Sequence, residues 1–338
     1  MFSVPLQLPL KASEAATLAG LVFQQAQGRK LDADLRNRLG SRIQALRLSS
    51  IAPFAASLQQ DPIHPDTYYV IADTRGERPQ CWLLRLALAS SPSSGLFPNS
   101  ILIGRMRTNV GHEVVVNAIP FEPGDRDNIR KFAERVDPAF LPRPQGAAAS
   151  ISVEHADLPS TFEVYRNILR TTGLNLAAVP VQDQTLVDAV LWAAIRAGWR
   201  EGYTLEADEA LTGCTKFTVQ ATELETGYEQ VGRKFDLELA FDFESSTPEK
   251  IGACLRYLKS IGRSVQFVRP HPDALDQVRA IVDVARQHGA LLGVRSVGLL
   301  PEATLREIGR ATAGKVSYKI SQPATHETIA IALEHLRG

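Results

Sequence analysis

Five carboxylates (Glu154, Asp208, Glu209, Asp242 and Glu244), four basic side chains (Arg269, His271, Arg295 and Lys319) and Gln220 stand at or just past the ends of short segments in which apolar and polar residues alternate. Carboxylates facing one another with a cation between them can abstract a proton next to a carbonyl, because the cation stabilises the developing enolate oxygen. That is isomerase and epimerase chemistry. In this reading Asp208, Glu209, Glu244 and Lys319 form the catalytic set, while Glu154, Gln220, Asp242, Arg269, His271 and Arg295 bind substrate. Arg269 and Arg295 could clamp a carboxylate or phosphate through paired hydrogen bonds. A desolvated Lys319 could instead form a Schiff base, although a lumenal lysine is more often an ion-pair partner. His271, in the run Arg-Pro-His-Pro, could act as a base, but a loop histidine is more often a surface residue.

These groups need a frame that gathers strand ends. The spacing predicts eight strands at 150–153, 175–179, 203–207, 216–221, 235–241, 265–269, 291–295 and 316–321. Helices are expected at 161–170, 185–199, 248–261, 275–288, 302–311 and 325–336. Alternating strands and helices imply an α/β architecture with a parallel sheet, here a (β/α)8 TIM-like barrel whose active site gathers at the C-terminal strand ends. A doubly wound open sheet is the alternative, but the first strand is not followed by a Gly-x-Gly-x-x-Gly turn.

Alternation also sorts the side chains of each strand into two sets. Tyr203, Leu205 and Ala207 oppose Thr204, Glu206 and Asp208; Phe217 and Val219 oppose Lys216, Thr218 and Gln220; Val316, Tyr318 and Ile320 oppose Ser317, Lys319 and Ser321. If the apolar set lies under the helices, the lumen is polar, and isolated charges there would cost several kcal/mol each. They must pair, titrate or bind something. For Glu206, Lys216 and Glu238, early or midway along their strands, an internal salt-bridge network competes equally with a ligand site.

Residues 1–136 read differently. Two helical patterns at 14–27 and 32–46 precede strands at 67–72, 82–89, 101–107 and 113–119 and a further helix ending near 136, which suggests a smaller α+β domain. Pro138, Pro142 and Pro144 make 137–148 a linker, and 149–338 is then the barrel domain. Equal numbers of basic and acidic residues, 37 of each, argue against a nucleic-acid binder or a polybasic membrane patch. No apolar run reaches the roughly 20 residues of a membrane helix, and residues 1–10 lack a basic flank and a small-residue cleavage site, so a cytoplasmic protein is expected. Cys81, Cys214 and Cys254 show neither a disulfide nor a zinc spacing and are expected to be inert buried thiols. Trp192 and Trp199, seven apart on one helix, read as a core stripe.

The run Asp188-Ala-Val-Leu-Trp-Ala-Ala-Ile-Arg-Ala-Gly-Trp-Arg-Glu-Gly-Tyr-Thr-Leu-Glu-Ala-Asp208, followed by Phe235-Asp-Leu-Glu-Leu-Ala-Phe-Asp-Phe-Glu-Ser-Ser-Thr-Pro248, resembles the metal-dependent tagaturonate/fructuronate (sugar-acid) epimerases. Leu291-Leu-Gly-Val-Arg-Ser296 and Lys315-Val-Ser-Tyr-Lys319 fall in the order of two further family strands. The likeness spans roughly 146–336 and implies a barrel that acts on a small acidic sugar. It also implies a divalent cation held by three histidines and a glutamate. Here Glu209, Arg295 and Ser317 stand at the histidine positions and Glu244 at the glutamate position, so only Glu244 keeps the family residue. An arginine brings its own positive charge and repels a metal, so no metal cofactor is expected and the metal site reads as degenerate. The function that follows is an isomerase or epimerase of a small acidic sugar working by carboxylate acid/base chemistry. The alternative is a non-catalytic relative that binds a sugar acid or a partner protein. A homo-oligomer is compatible with either.

Overall fold

A computed structural model describes residues 10–92, 95–144, 150–153, 162, 166, 178–180, 183–207, 211–220, 238–242, 247–260, 262, 265–270, 272–320 and 326–336. The chain divides into two compact units, Met1–Phe140 with Leu191–Arg200, and Leu141–Val190 with Glu201–Gly338. Inclusion of Leu191–Arg200 in the first unit is a feature that a linear boundary does not express.

In the first unit, helices α1 (Ala12–Ala26) and α2 (Ala33–Ala45) precede strands β1 (Ile51–Gln60), β2 (Thr67–Thr74), β3 (Cys81–Leu88), β4 (Ile101–Arg107) and β5 (Glu113–Pro120), followed by α3 (Arg126–Arg135). The strands form one antiparallel sheet in the order β1-β2-β3-β5-β4. Leu18, Val22 and Phe23 of α1 and Leu35, Leu39 and Ile43 of α2 are buried in one core cluster with Tyr68, Val70, Leu84, Leu86 and Val116 of the sheet. Asp32 starts α2 by accepting a hydrogen bond from the Leu35 amide at 2.8 Å, the usual N-cap arrangement. A second, aromatic cluster joins Tyr69, Phe97, Phe121, Phe132 and Phe140 through ring centroids about 6 Å apart.

Strand β1 is absent from the sequence reading. It contains Pro53 and three alanines, all weak strand formers, and it occupies a sheet edge, where a missing N–H is tolerated. Phe140, inside the stretch read as a linker, is fully buried, and Asp137 pairs with Arg200 at 2.9 Å. Within the same unit Arg196 pairs with Asp73 at 2.7 Å and lies over the Phe54 ring, and the Trp192 indole donates to the Phe121 carbonyl. Trp199 is fully buried, while Trp192 is half-buried, so the expected core stripe holds at one of its two positions.

The second unit carries strands β6 (Ser150–Val153), β7 (Ala178–Pro180), β8 (Thr204–Ala207), β9 (Lys216–Gln220), β10 (Glu238–Asp242), β11 (Phe267–Arg269), β12 (Leu291–Ser296) and β13 (Val316–Ile320). All eight expected strands are present, and they pair in parallel in the order β6-β13-β12-β11-β10-β9-β8-β7. Helices α5 (Pro248–Ser260), α6 (Val278–Gln287), α7 (Glu302–Thr312) and α8 (His326–Leu336) alternate with the later strands, and α4 (Gln184–Ala197) precedes β8. Each of α5 to α7 buries one apolar stripe, for example Val278, Ile281, Val282 and Ala285 of α6. Residues 275–277, expected as the start of α6, belong instead to a 3-10 turn over Pro272–Gln277. The mixed α/β class is as expected. A hydrogen-bonded ladder between the end strands β6 and β7, which would close the expected barrel, is not present among the described residues, although Cα atoms of the two strands lie within 8 Å of each other.

No helix among the described residues is long and apolar enough to cross a membrane. Cys81 is buried and its thiol is pushed well above its ordinary range, first by burial and then by Asp73. Cys214 and Cys254 are half-buried rather than buried, and burial raises the Cys254 thiol to about 11. Both raised thiols are therefore weak nucleophiles near neutrality.

Candidate active site

Four charged side chains from four different strands converge inside the second unit. Glu206 of β8 is the centre, and Lys216, Arg269 and Lys319 come from β9, β11 and β13. The Arg269 guanidinium approaches with two nitrogens, one 2.6 Å from Glu206 Oε1 and the other 2.8 Å from Oε2. Lys319 Nζ lies 3.3 Å from Oε1 and Lys216 Nζ 3.5 Å from Oε2. The four residues are 0–5% exposed. Burial alone would raise the Glu206 carboxyl, but Arg269, Lys216 and Lys319 together hold it well below the usual carboxylate range. Glu206 is thus an anchor for cations and a poor proton acceptor.

Local sequence explains each approach. Thr204 and Glu206 alternate with Leu205 and Ala207, so a four-residue strand buried on both faces carries one polar set. Lys216 crosses the Phe267 ring, its Nζ 3.8 Å from the centroid, so its charge is compensated by a π face as well as by Glu206. Gly293 leaves room for the Arg269 stem: a Cβ at position 293 would stand 2.5 Å from Arg269 Cγ. The sequence reading did not single out Gly293. Its signal was a glycine in mid-strand, which marks a close approach of another group. The neighbouring positions Val294 and Ser296 belong to the opposite face, where Ser296 Oγ bonds the Tyr318 hydroxyl at 2.8 Å.

Among the residues expected to do chemistry, Lys319 and Arg269 are brought together, and both contact Glu206. Arg295 stands in register with Lys319 on the adjacent strand, and is exposed at the C-terminal end of β12. Asp242 stands in register with both Gln220 and Arg269, as a row at strand ends requires. Glu154, Asp208, Glu209, Glu244 and His271 lie outside the described residues. The salt-bridge reading of Glu206 and Lys216 matches their observed pairing, and Glu238 is in register with Lys216. Thr204 Oγ1, on the Glu206 face and fully buried, has no hydrogen-bond partner among the described residues.

The fold is shared with a sugar-acid epimerase. Fructuronate-tagaturonate epimerase UxaE from Cohnella laeviribosi, in a structure with one glycerol, superimposes with a TM-score of 0.59 at 12% identity, over 84% of this chain and 75% of that one. Its native crystal structure gives 0.59 at 12% identity over 83% and 74%, and a form with two glycerols 0.58 at 11% identity over 80% and 72%. At such identity the likeness establishes a common fold. No protein-family model matches the sequence, and no curated protein matches it.

Among the described residues at the positions where the resemblance would place metal ligands, Arg295 is cationic and Ser317, near the start of β13, is a buried neutral hydroxyl, and neither is a side chain that a divalent cation prefers. Among the described residues no three histidine, cysteine, aspartate or glutamate side chains gather as a metal site would require.

Proposed function

We propose that this chain is an isomerase or epimerase of a small acidic sugar, built on a closed (β/α)8 barrel and working without a bound metal. The observation that carries the reading is the buried cluster of Lys216, Arg269 and Lys319 around Glu206, within the fold shared with the sugar-acid epimerase. Abstraction of a proton beside a carbonyl leaves negative charge on oxygen, and cations already fixed in a dry lumen stabilise that charge without reorganising. Lys319, one position before the end of β13, would face the developing oxyanion. Glu206, held ionised, would keep the cations in place. Asp208, Glu209 and Glu244 supply the proton acceptor and donor in this reading, with Glu154, Gln220, Asp242 and His271 as substrate contacts.

The test is incubation of the purified chain with fructuronate and, separately, tagaturonate, followed by NMR of the sugars. Appearance of the epimer, abolished in Lys319→Met, supports the proposal. A folded protein that converts neither sugar removes it. The second reading, a binder without turnover, rests on the depressed basicity of Glu206, which leaves the described part of the cluster without a base. It predicts a raised melting temperature with either sugar acid and no conversion.

A further inference from the structure

A groove of about 810 Å³ runs between α1 and the tip of the β4–β5 hairpin in the first unit, and it shares no residue with the proposed active site. That volume suits a small organic ligand. The groove has room because its floor is built of small residues. Ser13, Ala16, Thr17 and Gly20 share one face of α1 at helical spacing, and Met106 of β4 lies against the helix at Gly20. A Cβ at position 20 would stand 3.2 Å from Met106 Cε and 3.9 Å from its Sδ, so a glycine that is unfavourable inside a helix here admits the thioether. The opposite wall is held by the hairpin tip. The Thr108 amide donates to the His112 carbonyl at 2.8 Å, the Gly111 amide to the Thr108 carbonyl at 2.9 Å, and the His112 amide to Thr108 Oγ1 at 3.1 Å. Val110, within this braced tip, stays 70% exposed instead of folding onto the sheet.

The chemistry of the lining selects among ligands. None of the described residues that line the groove is a carboxylate, a lysine or an arginine, in a chain that is 22% charged. Arg105 and Glu113, which flank the lining residues Met106 and His112 in sequence, are paired with each other at 2.9 Å. An ionised group entering the groove would give up hydration without gaining a counter-charge, so a neutral ligand is favoured. The side-chain amides of Gln24, Gln27 and Asn109 line the groove and make no hydrogen bond with the described residues. Each sets a donor beside an acceptor, the pattern that pairs with the edge of a nucleobase. Met106 supplies a sulfur, which makes favourable contacts with aromatic rings.

We infer that this groove is a binding site for a neutral heteroaromatic molecule of nucleobase type, its ring against Met106 and Gly20 and its polar edge on Gln24, Gln27 and Asn109. The inference concerns the first unit alone and does not rest on the sugar-acid reading, so the failure of either leaves the other standing.

Calorimetric titration of the full chain with adenosine, AMP and methyl glucoside tests this, with hydrogen exchange to locate the bound molecule. Adenosine should bind, AMP should bind no more tightly than adenosine, and methyl glucoside should bind at least about tenfold more weakly. Adenosine should slow exchange at the amides of α1 and of 106–112. Thr17→Trp, which fills the groove from an exposed position, should abolish binding. Gln24→Leu, also at an exposed position, should weaken it by about threefold or more, the value of one neutral hydrogen bond. The second variant keeps the test open if the first disturbs the fold. No adenosine binding up to about 5 mM would overturn the site. So would affinity unchanged in both variants, protection confined to the second unit, or methyl glucoside binding as tightly as adenosine. AMP binding more tightly than adenosine would overturn the assignment of a neutral ligand.

Discussion

Lys319 Nζ lies 3.3 Å from Glu206 Oε1, although four strands stand between β13 and β8 in the sheet. Five strand spacings of about 4.8 Å would separate those strands by roughly 24 Å in a flat sheet. The contact therefore requires the sheet to curl far enough that its two ends face each other. Arg269, on β11 with two strands between it and β8, reaches the same carboxylate. One glutamate thus ties together distant parts of the sheet, which makes it a probe of both the curl and the electrostatics.

Replacing Glu206 by Gln should destabilise the second unit by about 3–5 kcal/mol, the usual cost of breaking a buried ion pair from one side. The change keeps the side-chain volume and removes one negative charge from among Arg269, Lys216 and Lys319. Urea unfolding followed by circular dichroism measures it. A loss below about 1 kcal/mol would mean that the cations are compensated by groups other than Glu206.

The same carboxylate sets a pH dependence. Its folded pKa is depressed, so the stabilisation it contributes is fully present above the unfolded value of about 4.3 and is lost as pH falls through the folded value, well below that. Stability measured from pH 7 down to pH 2 should decline in the parent through the acid range, and the decline should be shallower in Glu206→Gln. Parallel curves for the two proteins would contradict the assignment.

Much of this arrangement is readable from the sequence, and its limits have physical causes. All eight parallel strands show in the sequence as short runs of apolar alternation, and β8, β11 and β13 are buried along their whole length. Parity likewise puts Glu206, Lys216 and Lys319 on one polar side. What parity cannot give is which of them touch, because the Glu206–Lys319 contact depends on the curl of the whole sheet and not on any local spacing. Strand β1 escapes for the opposite reason: Pro53 and the alanines around it have little strand preference, and pairing with β2 decides the conformation. Gly293 is visible as a mid-strand glycine, but its purpose depends on Arg269 two dozen residues earlier.

Gly293→Ala should displace the Arg269 stem and weaken its two-nitrogen contact with Glu206, at a cost of about 1–3 kcal/mol, as for overpacking elsewhere. Because the loss acts through Arg269, it should be smaller in a Glu206→Gln background, where the guanidinium is no longer held. A double-mutant cycle in urea separates the two cases, and additive losses would rule out coupling through Arg269.

Gly198 offers a test in the first unit. Its φ is +65°, and a Cβ there would run into the Ala56 carbonyl, so Gly198→Ala combines backbone strain with a clash against main chain that cannot rotate away. Gly28 has nearly the same φ, +70°, with nothing within 4 Å of a Cβ. Gly28→Ala should therefore cost only about 1 kcal/mol, the strain alone, whereas Gly198→Ala should cost at least about 2 kcal/mol more. Thermal melts of the two variants give the comparison, and similar losses would mean that the segment around Gly198 can move off β1 at little cost.

Glu14 supplies a second acid-sensitive contact, near the start of α1. Burial pushes its carboxyl up, but four hydrogen bonds from the Ser49 and Ser50 amides and hydroxyls outweigh this and lower it to about 2. A depressed carboxylate stabilises above its unfolded pKa, about 4.3, and loses that contribution as pH falls towards 2. Glu14→Gln should remove most of the stabilisation at pH 7 and only a small part of it at pH 2, where the parent carboxyl is itself about half protonated. Hydrogen exchange of the α1 amides at the two pH values reads this locally, where Glu206 does not contribute. Protection that differs between parent and variant equally at both pH values would show that the serine contacts survive protonation and that the charge on Glu14 is not what holds 49–50 to the helix.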